Sequence, residues 1–258
     1  MKRSPLTQVV FWATVAFLYA PVAVLVLYSF NTSRFSAQWT GFTLGWYGRL
    51  FDSAETAAAL RNTLVISSVS TLCATALGTM LAIGLHLHRV RGRALIDLLL
   101  YLPVVVPDII AGVATLAFYV AIHLPLGRVS VILAHIAFQI SFVALVVRGR
   151  LQDFPSALIE AARDLGAGRW QTLQHVLLPL LWPGIAAGAL IALALSIDDF
   201  VVTYFTAGAG ASTLPIRIYS MVKRGVTPDV NALSTLLLLA TLVLLLAAQR
   251  LRGPRPAA

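Results

Sequence analysis

The sequence predicts an all-α integral membrane protein with six transmembrane helices and one cytoplasmic helical segment between the fourth and the fifth. Three observations lead there. Of 258 residues, 59% are hydrophobic and only 11% charged, whereas a soluble domain carries about 25% charged residues. Such a chain cannot cover itself in polar surface, so much of its solvent must be lipid. The apolar residues gather into runs of about 20, the length a helix needs to cross a bilayer. The basic residues fall between those runs and form no single patch, which argues against nucleic-acid binding despite a net charge of +9. The one cysteine, Cys73, lies inside an apolar run and reads as a small hydrophobe.

The elements follow in order. Lys2 and Arg3 precede an apolar run from about Val9 to Phe30. A cleavable signal peptide has a shorter core and a small-x-small exit, so this run is read as an uncleaved first span. Residues 31–61 are mixed, with Asn31, Gly41, Gly45, Asp52 and Glu55, and read as a loop with a short surface helix. The second span, about Asn62–His86, carries Ser67, Ser68, Ser70, Thr71, Gly78 and Gly84, small residues suited to close helix packing in lipid. Arg89, Arg91 and Arg93 mark a short basic loop.

The third span, about Leu98–Ile122, contains Pro103 and Pro107, so its first part is kinked or broken. Broken backbone at membrane depth is tolerated where protein or a cavity covers it. Pro125-Leu126-Gly127 make a tight outer turn before the fourth span, about Ser130–Val147. Arg148 to Leu180 is a long polar segment. The fifth span is about Leu181–Tyr204, a Gly- and Thr-rich loop follows to Pro228, and the sixth span is about Ala232–Ala248, with a basic tail. No internal repeat and no second domain is visible. Twelve of the 19 basic residues fall in residues 1–8, 87–97, 148–180 and 249–258. Positive loops stay in the cytoplasm, so both termini and the 148–180 segment are expected to face inward.

That segment carries its own helix signals. Asp153-Phe154-Pro155-Ser156 starts a helix, with polar caps and proline near the first turn. Gly166 and Gly168 end it, and a second helix from near Trp170 to Leu178 is expected to stop at Pro179 and Pro183 before the membrane. Ala161 and Ala162 are small enough for a partner to approach closely. Glu160 and Arg163, three apart, can pair with each other or offer charge to that partner.

The spacing here resembles a known signature. Glu160-Ala161-Ala162, then Gly166, then Val176, Leu178 and Pro179 match the EAA motif of ABC-importer permeases, with Val176 where isoleucine is usual. Phe42-Thr43-Leu44-Gly45-Trp46-Tyr47, Leu102-Pro103-Val104-Val105-Val106-Pro107-Asp108, Leu195-Ser196-Ile197-Asp198-Asp199-Phe200 and Leu214-Pro215-Ile216-Arg217-Ile218-Tyr219 look like the polyamine branch of that family, the second permease subunit of spermidine/putrescine importers. The resemblance implies a type I importer permease fold in the inner membrane. It implies a heterodimer with a second permease subunit, two ATPase subunits, and a periplasmic or lipid-anchored substrate-binding protein. It also assigns Glu160, Ala161, Ala162, Arg163, Asp164, Gly166, Val176, Leu178 and Pro179 to a coupling helix that meets the ATPase.

The acids inside the spans are Asp108, Asp198 and Asp199. Each costs about 2.5–3.5 kcal/mol at a helix centre on insertion scales, so each must face protein or water. Asp108, Gly112, Thr115 and Tyr119 share one helical face, and so do Ser196, Asp199 and Thr203, with Asp198 turned about 100° away. A cavity between those stripes, with Tyr119 and Tyr204, would suit a flexible polycation through ion pairs and cation–π contacts. The alternative is structural: each Asp pairs with an arginine or caps a broken helix. His135 and Gln139, four apart on the fourth span, suggest hydrogen bonds between helices.

The sequence has no GxxxxGK[ST] phosphate loop, GxSxG, HExxH or CxxC. No ATPase activity, other enzyme chemistry, cofactor or metal site is expected in this chain. The expected function is the permease subunit of a polyamine importer driven by partner ATPases. Import of another small organic solute, such as an amino acid, an opine or a thiamine-like cation, remains open. So does an ion-driven secondary transporter, although it would need a coupling-ion site that is not visible.

Overall fold

The computed structural model describes residues 5–34, 38–88, 90–152 and 154–252. Lys2, Arg3, Arg89, Asp153 and Arg255 lie outside them. Twelve helices follow one another among the described residues: α1 (Pro5–Tyr28), α2 (Gly45–Asp52), α3 (Ala54–Leu87), α4 (Arg93–Val105), α5 (Asp108–Ala121), α6 (Arg128–Gln152), α7 (Ser156–Asp164), α8 (Arg169–Thr172), α9 (Leu178–Asp198), α10 (Val201–Thr206), α11 (Leu214–Val222) and α12 (Pro228–Arg252). Five helical stretches are long and apolar enough to cross a membrane, and the bent pair α4–α5 makes a sixth if it is one span. None of the residues of α1 is buried, as expected of an apolar helix whose side chains face lipid or another chain.

The structure changes several expected boundaries. The helix of the second span, α3, begins at Ala54, ahead of Asn62, because residues 54–61 contain Ala and Leu and no helix breaker. The proposed third span is two helices meeting at 113°. Pro107 lacks an N–H to donate and takes φ −56°, ψ 134° ahead of α5, while Pro103 stays inside α4. The fifth span is also broken. It ends at Asp198, passes through Asp199 in extended backbone, and restarts as α10. Ser196, Asp199 and Thr203 therefore do not share one continuous helical face from which Asp198 is turned about 100°, because the helix that reading assumed does not continue.

The loop expected across 205–231 contains α11, and Pro228 begins α12. The expected stop at Pro179 and Pro183 does not occur. The chain runs helically from Arg169 to Asp198. It passes through a π turn at Leu173–Leu177, where the Leu178 N–H donates to the Leu173 carbonyl. The widened turn sits just ahead of Pro179, whose ring crowds the preceding helical carbonyl in regular α geometry.

The described chain separates into two compact units, one of residues 1–58 with 217–239, the other of residues 59–216 with 240–258. In the first, Asn31 is wholly buried. Its amide donates to the Gln38 carbonyl (2.7 Å) and accepts from the Thr40 N–H (3.0 Å), while the Trp46 indole donates to the Asn31 carbonyl (2.7 Å). Arg217 and Glu55 form an ion pair. In the second unit the core is Val143, Val147 and Leu151 of α6 against Leu177, Leu181 and Ile185. Gly78 of α3 allows close approach there, since a Cβ would come within 2.9 Å of the Ile140 carbonyl.

Candidate functional site

Within the second unit, α4, α5, α6, α9, α10 and the later part of α12 enclose a cavity of about 770 Å³. Its walls are mostly apolar, with Phe138, Phe142 and Phe200 supplying aromatic rings. Three of its lining residues are acidic: Asp108, Asp198 and Asp199. The two helix breaks bring them together. Asp108 opens α5 after the Pro107 bend, and Asp198 and Asp199 stand at the end of α9. Broken helices place polar backbone where a cavity can solvate it. Asp108 also lies in the first turn of a helix, where the N-terminal dipole favours negative charge.

The three acids differ in their engagement. Asp199 is held on several sides. Its Oδ2 accepts the Thr203 N–H (2.7 Å) and the Thr203 hydroxyl (2.6 Å), and lies 3.3 Å from His135 Nε2. Its Oδ1 accepts the Val202 N–H at 3.4 Å. Asp199 is thus the cap of α10, satisfying backbone donors that a helix start leaves open. The structural alternative raised for the acids describes Asp199 in this respect, with a histidine in place of an arginine. Asp108 and Asp198 form no hydrogen bond or ion pair with another described side chain, and both are exposed.

The expected face of α5 divides. Asp108, Ala111 and Thr115 line the cavity. Gly112 faces α10, where a Cβ would come within 2.8 Å of the Phe205 ring. Tyr119 is buried, and its hydroxyl donates to the Ser130 carbonyl (3.0 Å). Tyr204 is exposed and packs its ring on Phe200 and Phe205. Neither tyrosine is among the cavity-lining residues.

His135 and Gln139 do join helices. Gln139 donates to the Ala192 carbonyl (3.0 Å). His135, wholly buried, contacts Ser196 Oγ through Nδ1 (2.7 Å) and Thr203 Oγ1 through Nε2 (2.9 Å). Sequence reasoning did not connect His135 to Asp199, because the two are far apart in the chain and meet only through the α9–α10 break. Phe138 and Phe142 were also missed, although both lie on the α6 run that carries His135. Their spacing of four on an apolar helix is the only signal, and core packing gives the same pattern.

The segment of the Glu-Ala-Ala motif is a second candidate surface. Ile159 of α7 is buried in the same core cluster as Leu177 and Leu181. That leaves Glu160, Ala161, Arg163 and Asp164 exposed and Ala162 half-buried. The segment also presents large apolar side chains to solvent, Leu165 at 89% and Trp170 at 66% exposure, a pattern typical of surfaces that bind another protein. Gly166 turns the chain with φ +83°, a region that glycine enters without steric cost. The Ala167 N–H then donates to the Ala162 carbonyl (3.0 Å), closing the end of α7. Val176 lies within the π turn, Leu178 begins α9 and is half-buried, and Pro179 is exposed.

Comparisons with known proteins agree with this architecture. A family model described as "Binding-protein-dependent transport system inner membrane component" matches residues 74–253. The chain is 39% identical over 237 residues to the spermidine/putrescine transport system permease protein PotC of Escherichia coli (strain K12), covering 92% of this chain and 90% of that protein. It is 37% identical over 243 residues to the putrescine transport system permease protein PotI of the same strain, covering 92% of this chain and 86% of the relative. Among solved structures, a bacterial ABC transporter involved in import of the acidic polysaccharide alginate superposes with a TM-score of 0.70 at 23% identity, over 97% of this chain and 96% of that one. Inward-facing MetNI methionine ABC transporter superposes with a TM-score of 0.65 at 22% identity, over 82% of this chain and 98% of that chain. At these identities the structural likeness speaks for the fold.

Proposed function

The chain belongs to the family of binding-protein-dependent transport system inner membrane components, and from that premise we propose that it is a permease subunit of a polyamine importer. The observation that carries the substrate class is the cavity of about 770 Å³ in which Asp108 and Asp198 stand without a cationic partner among the described residues, beside Phe138, Phe142 and Phe200. Unpaired carboxylates in apolar walls are costly. A passing polyammonium ion offsets that cost, and aromatic faces add cation–π attraction. Such a lining repels an anionic solute such as an acidic polysaccharide, so the fold shared with an alginate importer does not carry its cargo here.

The partners follow from the reading as a permease subunit. A second permease subunit completes the path, two ATPase subunits supply energy, and a periplasmic or lipid-anchored binding protein delivers substrate outside. Both termini and α7 face the cytoplasm. The face of α7 with Glu160, Ala161, Ala162, Arg163 and Asp164 meets an ATPase subunit. Gly166 sets its angle, and the continuous run from Arg169 to Asp198 carries movement toward Asp198 and Asp199.

The test is uptake of labelled putrescine and spermidine in cells expressing the complete transporter, compared with otherwise identical strains that lack this chain or carry Asp198→Asn. Polyamine uptake that depends on the chain and falls in the Asp198→Asn strain supports the reading. Polyamine uptake that is the same with and without the chain rejects it.

A further inference from the structure

We propose that His135 is a positioning residue that holds Asp199 in the α9–α10 junction, leaving Asp108 and Asp198 as the carboxylates that meet a polyamine. This inference rests on the proposed substrate class. His135 lies on α6, wholly buried, and touches both halves of the broken helix at once: Ser196 in the last turn of α9 (2.7 Å) and Thr203 in α10 (2.9 Å). The Thr203 hydroxyl gives its hydrogen to Asp199 Oδ2 (2.6 Å). Its lone pair therefore faces His135, and the hydrogen between them sits on Nε2. The same Nε2 is 3.3 Å from Asp199 Oδ2. Asp199 accordingly shows only 10% of its side chain to the outside, although its residue borders the cavity.

Ser196 is 3.4 Å from Ser70 of α3, which steadies the ring from the other side. His135 also packs its ring on Phe138, a cavity wall (5.2 Å between centroids). Replacing the imidazole with an apolar side chain of similar size takes one donor from the Asp199–Thr203 pair. The carboxylate keeps the Thr203 N–H and hydroxyl and the Val202 N–H, and for the contact it has lost the polar surroundings on offer are the cavity and its water. With one donor fewer, the carboxylate turns more of its negative charge toward the path, and that charge favours an amine with more positive charges over one with fewer.

The experiment measures uptake KM for putrescine and spermidine with the complete transporter in cells. In His135→Leu the ratio of putrescine KM to spermidine KM rises about threefold or more, the size of one added partly hydrated ion pair. His135→Gln, whose amide nitrogen reaches the place of Nε2, restores the ratio. Thr203→Val, which removes the bridging hydroxyl, shifts the ratio in the same direction and serves if His135→Leu does not insert. A merely structural role changes the amount of transporter and leaves the ratio untouched. An unchanged ratio in variants that insert and transport overturns the role of His135 alone. Absence of uptake of either amine by the unaltered transporter overturns the substrate class, and the inference with it.

Discussion

Arg148 of α6 reaches both carboxylate oxygens of Asp97 on α4, one through each terminal nitrogen, with Arg93 a further 3.9 Å from the same group. This forked pairing ties the first half of the bent α4–α5 unit to the helix that carries His135 and Phe138. Two parallel bonds also fix orientation, which a lone ammonium would not.

The first prediction concerns that tie. Both partners are partly open to solvent, at 22% and 29% exposure, so the pair contributes roughly 1 kcal/mol. Arg148→Ala is expected to lower the midpoint of thermal unfolding in detergent by about 2–4 °C. Arg148→Lys recovers only part of this, because one point charge replaces two directed bonds. Equal midpoints for Arg148→Ala and the unaltered protein would count against the tie.

The second prediction concerns Gly166. At φ +83° a side chain costs roughly 1–2 kcal/mol, although open space around the position leaves room for one. The strain falls on the angle between α7 and the helix that continues into α9. Gly166→Leu is expected to insert into the membrane at normal levels and to lose most polyamine uptake. Normal uptake by this variant would show that the angle set at Gly166 does not matter to transport.

How far such features could be read from sequence depended on whether local pattern or tertiary contact decides them. The apolar runs marked the crossing helices, and the turn at Gly166 was legible because a glycine after a helical stretch has one dominant use. The break at Asp199 was not legible. Two aspartates within an apolar run read equally as a polar helical face, and only the contacts to Thr203 and His135 distinguish a cap from a lining group. Pro183 misled in the opposite direction. A proline inside a helix suggests a stop, yet neighbouring helices hold this one, and the Arg150 stem approaches Gly184 so closely that a Cβ there would come within 3.2 Å of it. Tyr119 had the right helical spacing for the cavity, but its turn of α5 lies beside Ser130.

The third prediction concerns Gly112. A Cβ there would come within 2.8 Å of the Phe205 ring. The ring is planar and held by Tyr204, so the strain passes to α10 and the junction at Asp199. Gly112→Val is expected to destabilise by about 1–3 kcal/mol and to reduce uptake. Combining it with Phe205→Leu should recover a large part of both losses, since residues in contact couple. Simple additivity of the two changes in a double-mutant cycle would show that the close approach has no such consequence.

The last prediction separates the cavity acids by what each touches. Among the described residues Asp198 and Asp108 have no cationic partner, so under the proposed function their charge is available to a substrate. Asp199 is spent on α10 and His135. Asp198→Asn and Asp108→Asn are each expected to raise polyamine KM about fivefold to tenfold, roughly 1–1.4 kcal/mol of lost attraction, with little change in thermal midpoint. Asp199→Asn is expected to lower the midpoint as well, because an amide cannot accept from both Thr203 and His135 with a full charge. The measurement pairs uptake kinetics with unfolding of each purified variant. If all three lower stability alike and none shifts KM selectively, the carboxylates serve the fold and the cavity charge is not what recognises the cation.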